Sequence, residues 1–286
     1  MAAGRAHLVA AGVAPAEAAI DVDLFVRTIL NWDRAQVITA QSEGIPSHLE
    51  PRLNDWLTRR ARHEPAAYIV GTKEFWGLDL RVTPAVLVPR PETELIVEEA
   101  LRLFTGGSAG AMSDPAHGLR LADVGTGSGC IAVSLARELP YSRIVATDIS
   151  TEALAVAREN AKRHGVADRI TFVASSYLEG ANGSFDAIAA NPPYVSERAR
   201  PALGKAVAHE PEVALFGGAD GLRDISGVLE TAAARLRPRG WLLMEFGFGQ
   251  DDEVIALAAR QPALTLERIR EDIQGIPRTA VIQRTG

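Results

Sequence analysis

The stretch Leu119-Arg120-Leu121-Ala122-Asp123-Val124-Gly125-Thr126-Gly127-Ser128-Gly129 decides how the chain folds. Its first half is a short, mostly apolar run closed by glycine, which reads as a strand buried in a sheet. Residues 128–139 follow as a helix, so strand, tight turn and helix succeed one another directly. The rhythm then repeats. Further strands are expected at 143–147, 170–173, 185–190 and 241–246, with helices at 151–164, 221–236 and 251–260. Two last strands, at 264–269 and 279–283, have no helix between them and suggest an antiparallel hairpin. Such alternation predicts an α/β architecture: a doubly wound, mostly parallel sheet.

The strand at 185–190 ends on Asn191-Pro192-Pro193-Tyr194. Pro192 cannot continue a sheet ladder, so the chain leaves the sheet at Asn191, and a following proline holds Asn191 extended. An amide side chain is thereby fixed at the carboxyl end of a strand, where open α/β sheets bind ligands. The Asn191 side-chain oxygen and the Pro192 carbonyl are acceptors that can converge on one planar NH2 group. They would grip its hydrogens and aim its lone pair at an electrophile, with Tyr194 stacked on the group to exclude water. Taken alone, the tetrapeptide is also compatible with an ordinary strand-to-loop turn.

The glycines of the opening stretch are spaced G-x-G-x-G, not the G-x-G-x-x-G of dinucleotide binders. They permit a tight turn and close approach of backbone N–H groups to a ligand, or serve only the turn. Asp148 ends the next strand, about 20 positions on, where an acidic residue can hold ribose hydroxyls. Ser150 is the better cap for the following helix, which frees Asp148 for a ligand. A nucleoside cofactor fits this pair, and phosphate transfer is disfavoured because no Walker lysine is present. Tyr177, after the third strand, either lies against an adenine ring or simply packs. Cys130 reads as a small core residue.

Composition narrows the class. The chain has 286 residues, 47% of them hydrophobic, enough for a small domain beside a medium one with a sizeable core. The formal net charge is −6 without a strongly basic segment, which argues against a nucleic-acid footprint. One cysteine and scattered histidines offer neither a disulfide framework nor a metal site. Arg5, His7 and Glu17 break any signal-peptide core, and no apolar run has membrane-spanning length, so a soluble cytoplasmic protein is expected. Residues 1 to about 70 read as a small helical bundle. Its stripes are Ile20 with Leu24, Phe25 with Ile29, and Leu49, Leu53, Trp56 and Leu57. Arg59, Arg60 and Arg62 are expected on its exposed face, either solvated or touching a partner. Residues 75–82 suggest a strand or hairpin, Pro84, Pro89 and Pro91 stiffen a connector, and Pro91 opens a helix to about Phe104. Residues 105–118, rich in glycine, read as a flexible loop.

Three features in this order, the glycine turn, Asp148 and Asn-Pro-Pro-Tyr, resemble the class I S-adenosylmethionine-dependent methyltransferases. Within that class the rest of the chain resembles the release-factor glutamine methyltransferases. The resemblance rests on Glu64-Pro65-Ala66-Ala67-Tyr68-Ile69-Val70-Gly71, Phe75-Trp76-Gly77-Leu78 and, most specifically, Val88-Pro89-Arg90-Pro91-Glu92-Thr93-Glu94. It extends to His209-Glu210-Pro211 and to Ala214-Leu215-Phe216-Gly217-Gly218-Ala219-Asp220-Gly221-Leu222. It implies a Rossmann-like, seven-stranded sheet at 91–286, a hairpin and linker at 72–90, and a helical domain at 1–71 that docks the substrate.

The implied activity is methyl transfer from S-adenosyl-L-methionine to the side-chain nitrogen of the glutamine in the Gly-Gly-Gln loop of peptide-chain release factors. Gly125, Thr126, Gly127, Ser128, Gly129, Asp148, Tyr177 and Asn191 would bind the cofactor. Asn191, Pro192, Pro193 and Tyr194 would bind the glutamine, with Asn191, Pro192 and Tyr194 at the chemistry. Arg90 and Glu92 would line the cofactor mouth or form structural salt bridges. Tyr177 stands where this family often has tryptophan, and Ser176 where it often has an acidic residue. Methylation of adenine in nucleic acid, or a non-catalytic release-factor or ribosome-binding module, are the rival readings.

Overall fold

A computed structural model describes residues 1–39, 48–105 and 118–286, so the glycine-rich stretch, its two end residues excepted, lies outside the described residues. The chain divides into two compact units, Met1–Thr72 with Gly204–His209, and Lys73–Leu203 with Glu210–Gly286.

The first unit is helical: α1 (Ala2–Ala10), α2 (Pro15–Leu30), α3 (Arg34–Thr39), α4 (Leu49–Ala61) and α5 (Ala66–Val70). Pro15 sits in the first turn of α2, where its missing N–H leaves no bond unmade. Leu8, Val22, Phe25, Trp56, Leu57 and Ile69 form the core, with the Phe25 and Trp56 rings edge to face at 5.4 Å. The α2 stripe differs from the one expected. Its buried face runs Ala18, Val22, Phe25, Ile29, and Ile20 lies on the far side, 67% exposed, because two residues turn a helix by more than half a revolution.

Arg60 also departs from expectation. It is 3% exposed, and its guanidinium bonds Asp21 at 2.6 Å and Glu17 at 2.5 Å. A buried arginine is tolerable only with such partners. The segment Gly204–His209 belongs to this unit, with a His209 ring nitrogen 3.1 Å from the Arg62 carbonyl oxygen. No feature of the sequence announces that join.

The second unit carries the expected α/β fold. A hairpin of β1 (Thr72–Phe75) and β2 (Leu78–Arg81) comes first. Trp76 and Gly77 both take left-handed φ, as a tight hairpin turn requires, and Glu94 and Glu74 accept their backbone N–H groups. A 3-10 turn at Pro91–Thr93 leads into α6 (Glu94–Thr105). Then come β3 (Leu119–Val124), α7 (Cys130–Glu138), β4 (Ser142–Asp148), α8 (Thr151–Arg163), β5 (Ile170–Ala174) and β6 (Phe185–Ala190). The chain closes with α9 (Arg223–Arg235), β7 (Leu236–Glu245), α10 (Asp251–Ala259), β8 (Leu264–Glu271) and β9 (Pro277–Arg284).

The seven-stranded sheet has the order β5-β4-β3-β6-β7-β9-β8. Neighbours from β5 to β7 are parallel, while β9 runs antiparallel to β7 and β8. Every residue of β6 is buried, as for a parallel strand covered on both faces. One cluster joins α6 and α7 to Leu119, Leu121 and Ile144, and the other joins α9 and α10 to Ala122, Val124 and Ile188. Helices therefore wind on both faces. Glu99 of α6, fully buried, is ion-paired with Arg102, Arg268 and Arg270, which ties the helix to the antiparallel edge. No helix among the described residues is long and apolar enough to cross a membrane.

Two substitutions in α2 should separate its faces. Phe25→Ala should cost about 3–5 kcal/mol by emptying the core, whereas Ile20→Lys should stay within about 0.5 kcal/mol of wild type. Urea unfolding measures both, and equal costs would reject the assigned face.

Candidate active site

The register sets the site. Val124 pairs with Thr147 on one side and Ala190 on the other, and Ala190 pairs with Met244. The residues just beyond (Gly125, Asp148, Asn191 and Glu245) therefore reach one level at the carboxyl end of the sheet. The strand order reverses between β3 and β6: the chain runs outward from β3 through β4 to β5, then returns to β6 and runs the other way to β7, and a crevice opens there.

The glycine loop forms one wall. Gly125, Gly127 and Gly129 have φ of 72, 53 and 81°, a left-handed region that favours glycine. Asp123 holds the loop from beneath, its Oδ2 accepting Thr126 Oγ1 at 2.6 Å and the Ala132 N–H at 3.1 Å. Burial pushes the Asp123 carboxyl up to about 7. The Thr126 hydroxyl is thus turned inward, and only its backbone is left for a ligand. A Cβ on Gly127 would meet nothing within 4 Å, whereas one on Gly129 would press on Ala157 of α8 at 3.1 Å. Gly127 faces open space; Gly129 seats the start of α7.

Asp148 accepts the Gly127 N–H on Oδ2 and the Ser150 N–H on Oδ1, both at 2.9 Å. Each oxygen keeps a second lone pair. Burial raises its pKa, against the lowering effect of these amides. Ser150 caps α8 by accepting the Ala153 N–H at 3.1 Å, as expected. Tyr177 has a left-handed φ of 44°, and its hydroxyl donates to Asp224 Oδ1 of α9 at 3.0 Å. Gly227 leaves the room its ring occupies, since a Cβ there would overlap the ring.

Asn191 forms the opposite wall. Its Nδ2 donates to Thr93 Oγ1 at 3.0 Å, and Thr93 donates to Glu245 Oε2 at 2.6 Å. Tyr194 turns its hydroxyl to Glu245 Oε1 at 3.2 Å. The chain after Tyr194 is pinned by Val195 N–H to the Leu215 carbonyl at 2.8 Å and Gly217 N–H to the Val195 carbonyl at 3.0 Å. A Cβ on Gly217 would overlap the Pro193 carbonyl oxygen, and one on Gly221 the Tyr194 carbonyl oxygen. Those glycines exist for contact.

One cavity gathers most of the expected residues: Gly125, Thr126, Gly127, Ser128, Asp148, Tyr177, Asn191, Pro192 and Pro193 line it. Gly129 and Tyr194 stand behind its walls. Cys130 reaches the lining, with its thiol pushed up to about 12 by burial, which leaves it inert. Arg90 lies at the rim and is bonded to the buried carboxylate of Glu210, which also accepts the Val88 N–H at 3.0 Å. That is the salt-bridge alternative for Arg90.

Three residues escape the sequence reading. Glu245 left a signal, a lone acid in the apolar strand Trp241-Leu242-Leu243-Met244-Glu245-Phe246. Thr93 had only its place in the proline-rich run. Asn160 of α8, fully buried, joins β2 to the glycine loop through the Arg81 N–H at 2.7 Å and the carbonyls of Arg81 and Ser128 at 2.9 and 2.8 Å.

Known proteins point the same way. The family model Methyltransferase small domain matches residues 110–219, and the model PrmC N-terminal domain matches residues 1–71. The release factor glutamine methyltransferase of Bradyrhizobium diazoefficiens is 40% identical over 263 residues, covering 92% of this chain and 86% of that protein. That of Moorella thermoacetica is 39% identical over 266 residues, covering 91% of each. Among solved structures, a methyltransferase from Pyrococcus furiosus superposes with a TM-score of 0.53 at 20% identity, covering 80% of this chain and 98% of that one. The hMettl16 catalytic domain with MAT2A 3′UTR hairpin 6 gives 0.57 at 17% identity, covering 79% and 81%. These two share the fold.

The contact glycines make a test. Gly221→Ala should cost about 1–3 kcal/mol through overpacking against the Tyr194 carbonyl oxygen together with its left-handed φ of 83°, and Gly204→Ala, with nothing within 4 Å of its Cβ, about 0.5 kcal/mol at most. Chemical denaturation gives both numbers. A neutral Gly221→Ala would mean that the loop is not clamped at Tyr194.

Proposed function

Because the chain belongs to the release factor glutamine methyltransferase family, we propose that it methylates the glutamine side-chain amide in the Gly-Gly-Gln loop of peptide-chain release factors. S-adenosyl-L-methionine is the donor, and a soluble, cytoplasmic protein acting on protein rather than DNA suits the acidic balance. The observation that carries the reading is the single cavity faced by both the glycine loop with Asp148 and the Asn191-Pro192 acceptors.

The residues present fit the cofactor. Gly127 faces open space where a side chain would intrude, so its backbone can approach the methionine portion. Asp148 is not consumed as a helix cap and has lone pairs left for two ribose hydroxyls. Tyr177, held by Asp224, offers its ring to the base. When bound, S-adenosylmethionine supplies an activated methyl on its sulfonium, so the protein need not create the electrophile.

What the protein does is position and desolvate. Asn191 Oδ1 and the Pro192 carbonyl accept the two hydrogens of the glutamine NH2, directing its lone pair toward the methyl carbon. Pro193 and Tyr194 stiffen this edge and exclude water. With the donor bound, these acceptors would hold the amide nitrogen in line with the methyl the sulfonium would supply, and the nitrogen's proton would leave to water. Orientation of this kind contributes roughly 7–11 kcal/mol in favourable cases. Residues 1–71 contribute docking of the release factor.

The direct test is to incubate the protein with S-adenosylmethionine and a release factor and map any added methyl by peptide mass spectrometry. A methyl on the Gly-Gly-Gln glutamine is expected, and its absence, with cofactor bound, would reject the substrate. Two variants assign roles. Asn191→Ala should lower kcat roughly 100-fold with cofactor affinity little changed. Asp148→Ala should weaken cofactor binding by roughly 10-fold or more in calorimetry. Unaltered affinity in the second would make Asp148 structural only.

A further inference from the structure

We infer that Glu245 and Thr93 are positioning residues that fix which end of the Asn191 amide faces the substrate. The inference rests on the proposed role of Asn191 as acceptor and adds what decides its orientation. An amide can turn over, exchanging oxygen for NH2 with almost no change of shape. The turned form would present a donor to a substrate group that itself only donates.

The hydrogen-bond chain beneath Asn191 has a polarity. Glu245, 1% exposed, accepts from Thr93 Oγ1 at 2.6 Å and from the Tyr194 hydroxyl at 3.2 Å. An ionised carboxylate has no proton to give, so both hydroxyls must donate to it. Thr93 has one proton and has committed it, leaving Oγ1 able only to accept. The Asn191 group 3.0 Å away must then be Nδ2, and Oδ1 is left for the cavity. Thr93 and Asn191 line that cavity and Glu245 does not, so Glu245 acts through its neighbours. Thr93 is 2% exposed, which keeps water from substituting for a link.

The chain therefore needs a charge at its end. No ion pair to Glu245 occurs among the described residues. The charged and titratable groups around it are Glu92 ahead of α6, Cys130 at the start of α7, Tyr194 after β6 and Arg278 on β9, with Thr93 and Tyr194 as its bonded partners. Burial, with a smaller push from Glu92, raises the Glu245 carboxyl to about 7, against Thr93, Tyr194 and Arg278. Burial and the neighbouring Glu245 raise the Tyr194 hydroxyl, which stays protonated and remains a donor. Protonating Glu245 lets it donate to Thr93 Oγ1 instead of accepting from it, which frees the Thr93 proton to turn toward Asn191, so the polarity of the chain is no longer fixed. The acceptor state of Asn191 is thus complete above the Glu245 pKa and declines as pH falls through about 7.

The test uses the full chain with Glu245→Gln, Thr93→Val and Thr93→Ser. Methyl transfer to a release factor should fall roughly 100-fold in kcat for Thr93→Val and roughly 10-fold for Glu245→Gln, whose amide can still turn its oxygen to Thr93, return to within about tenfold of wild type for Thr93→Ser, and leave calorimetric affinity for S-adenosylmethionine little changed. The wild-type fall in kcat below pH 7 should flatten in Glu245→Gln. Independently of any substrate, the side-chain NH2 resonance of Asn191, assigned through Asn191→Ala, should shift and lose exchange protection in Thr93→Val but not in Thr93→Ser. A Thr93→Val protein with wild-type kcat, or an unmoved Asn191 resonance, would overturn the inference. If wild-type protein methylates no release factor, the functional reading fails while the resonance still decides the relay.

Discussion

The structure depends on the parallel pairing of β3 with both β4 and β6. Parallel strands are joined by crossovers, and because β3 leaves through α7 toward β4 while β6 leaves toward β7 with α9 on the other face, no crossover closes over the carboxyl ends of β3 and β6. The crevice is therefore a consequence of topology. Register does the rest, because strands that stop level bring residues far apart in sequence onto one rim. Gly125, Asp148, Asn191 and Glu245 span 120 positions of chain and meet because four strand ends coincide.

Buried carboxylates mark what this rim needs. Glu99, Asp186 and Glu210 each have an arginine in direct contact, and each fastens one element to another. Asp123 and Glu245 instead have only hydroxyl and amide donors, and burial pushes both to about 7. One lies under the glycine loop and the other under Asn191, the two walls of the cavity. A carboxylate without a countercharge is costly in the interior, yet it orients hydroxyls and N–H groups more strictly than a neutral group can. The fold places these costly groups where direction matters and spends its arginines elsewhere.

The sheet was legible because its signals are local. Each strand is an apolar run closed by a breaker, and each helix announces itself by period or cap, so Asn191 and Asp148 were placed by punctuation alone. Tertiary effects were not legible. Whether Ile20 or Val22 faced the bundle turned on a rotation that α2 leaves open, because Ile20, Val22, Leu24, Phe25, Val26 and Ile29 put apolar residues on more than one side of it. Arg60 read as surface because an arginine near two others usually is, and its partners Asp21 and Glu17 lie some 40 positions away. Thr93 and Asn160 look ordinary in sequence, since their roles exist only through partners 98 and 79 positions distant. Only Glu245 carried a warning: a charge at the end of a buried apolar strand must be satisfied by something the strand itself does not contain.

The Asn-Pro-Pro-Tyr segment shows why so little chemistry suffices. Two prolines fix two φ angles and remove two donors that would otherwise need partners. From the Tyr194 carbonyl onward the backbone is bonded outward at successive points: Gln250 Nε2 to the Tyr194 carbonyl at 3.1 Å, Val195 to Leu215, Gly217 to Val195, and Glu197 N–H to the Gly218 carbonyl at 3.0 Å. Gly217 and Gly221 admit this contact by having no side chain to obstruct it. A loop so constrained has little conformational entropy left to lose, so if it holds the glutamine as proposed, the geometry for transfer exists beforehand. On the proposed reading, what still has to be fixed is the turn of the Asn191 amide, and the bonds from Asn191 to Thr93 and from Thr93 to Glu245 are what would hold it.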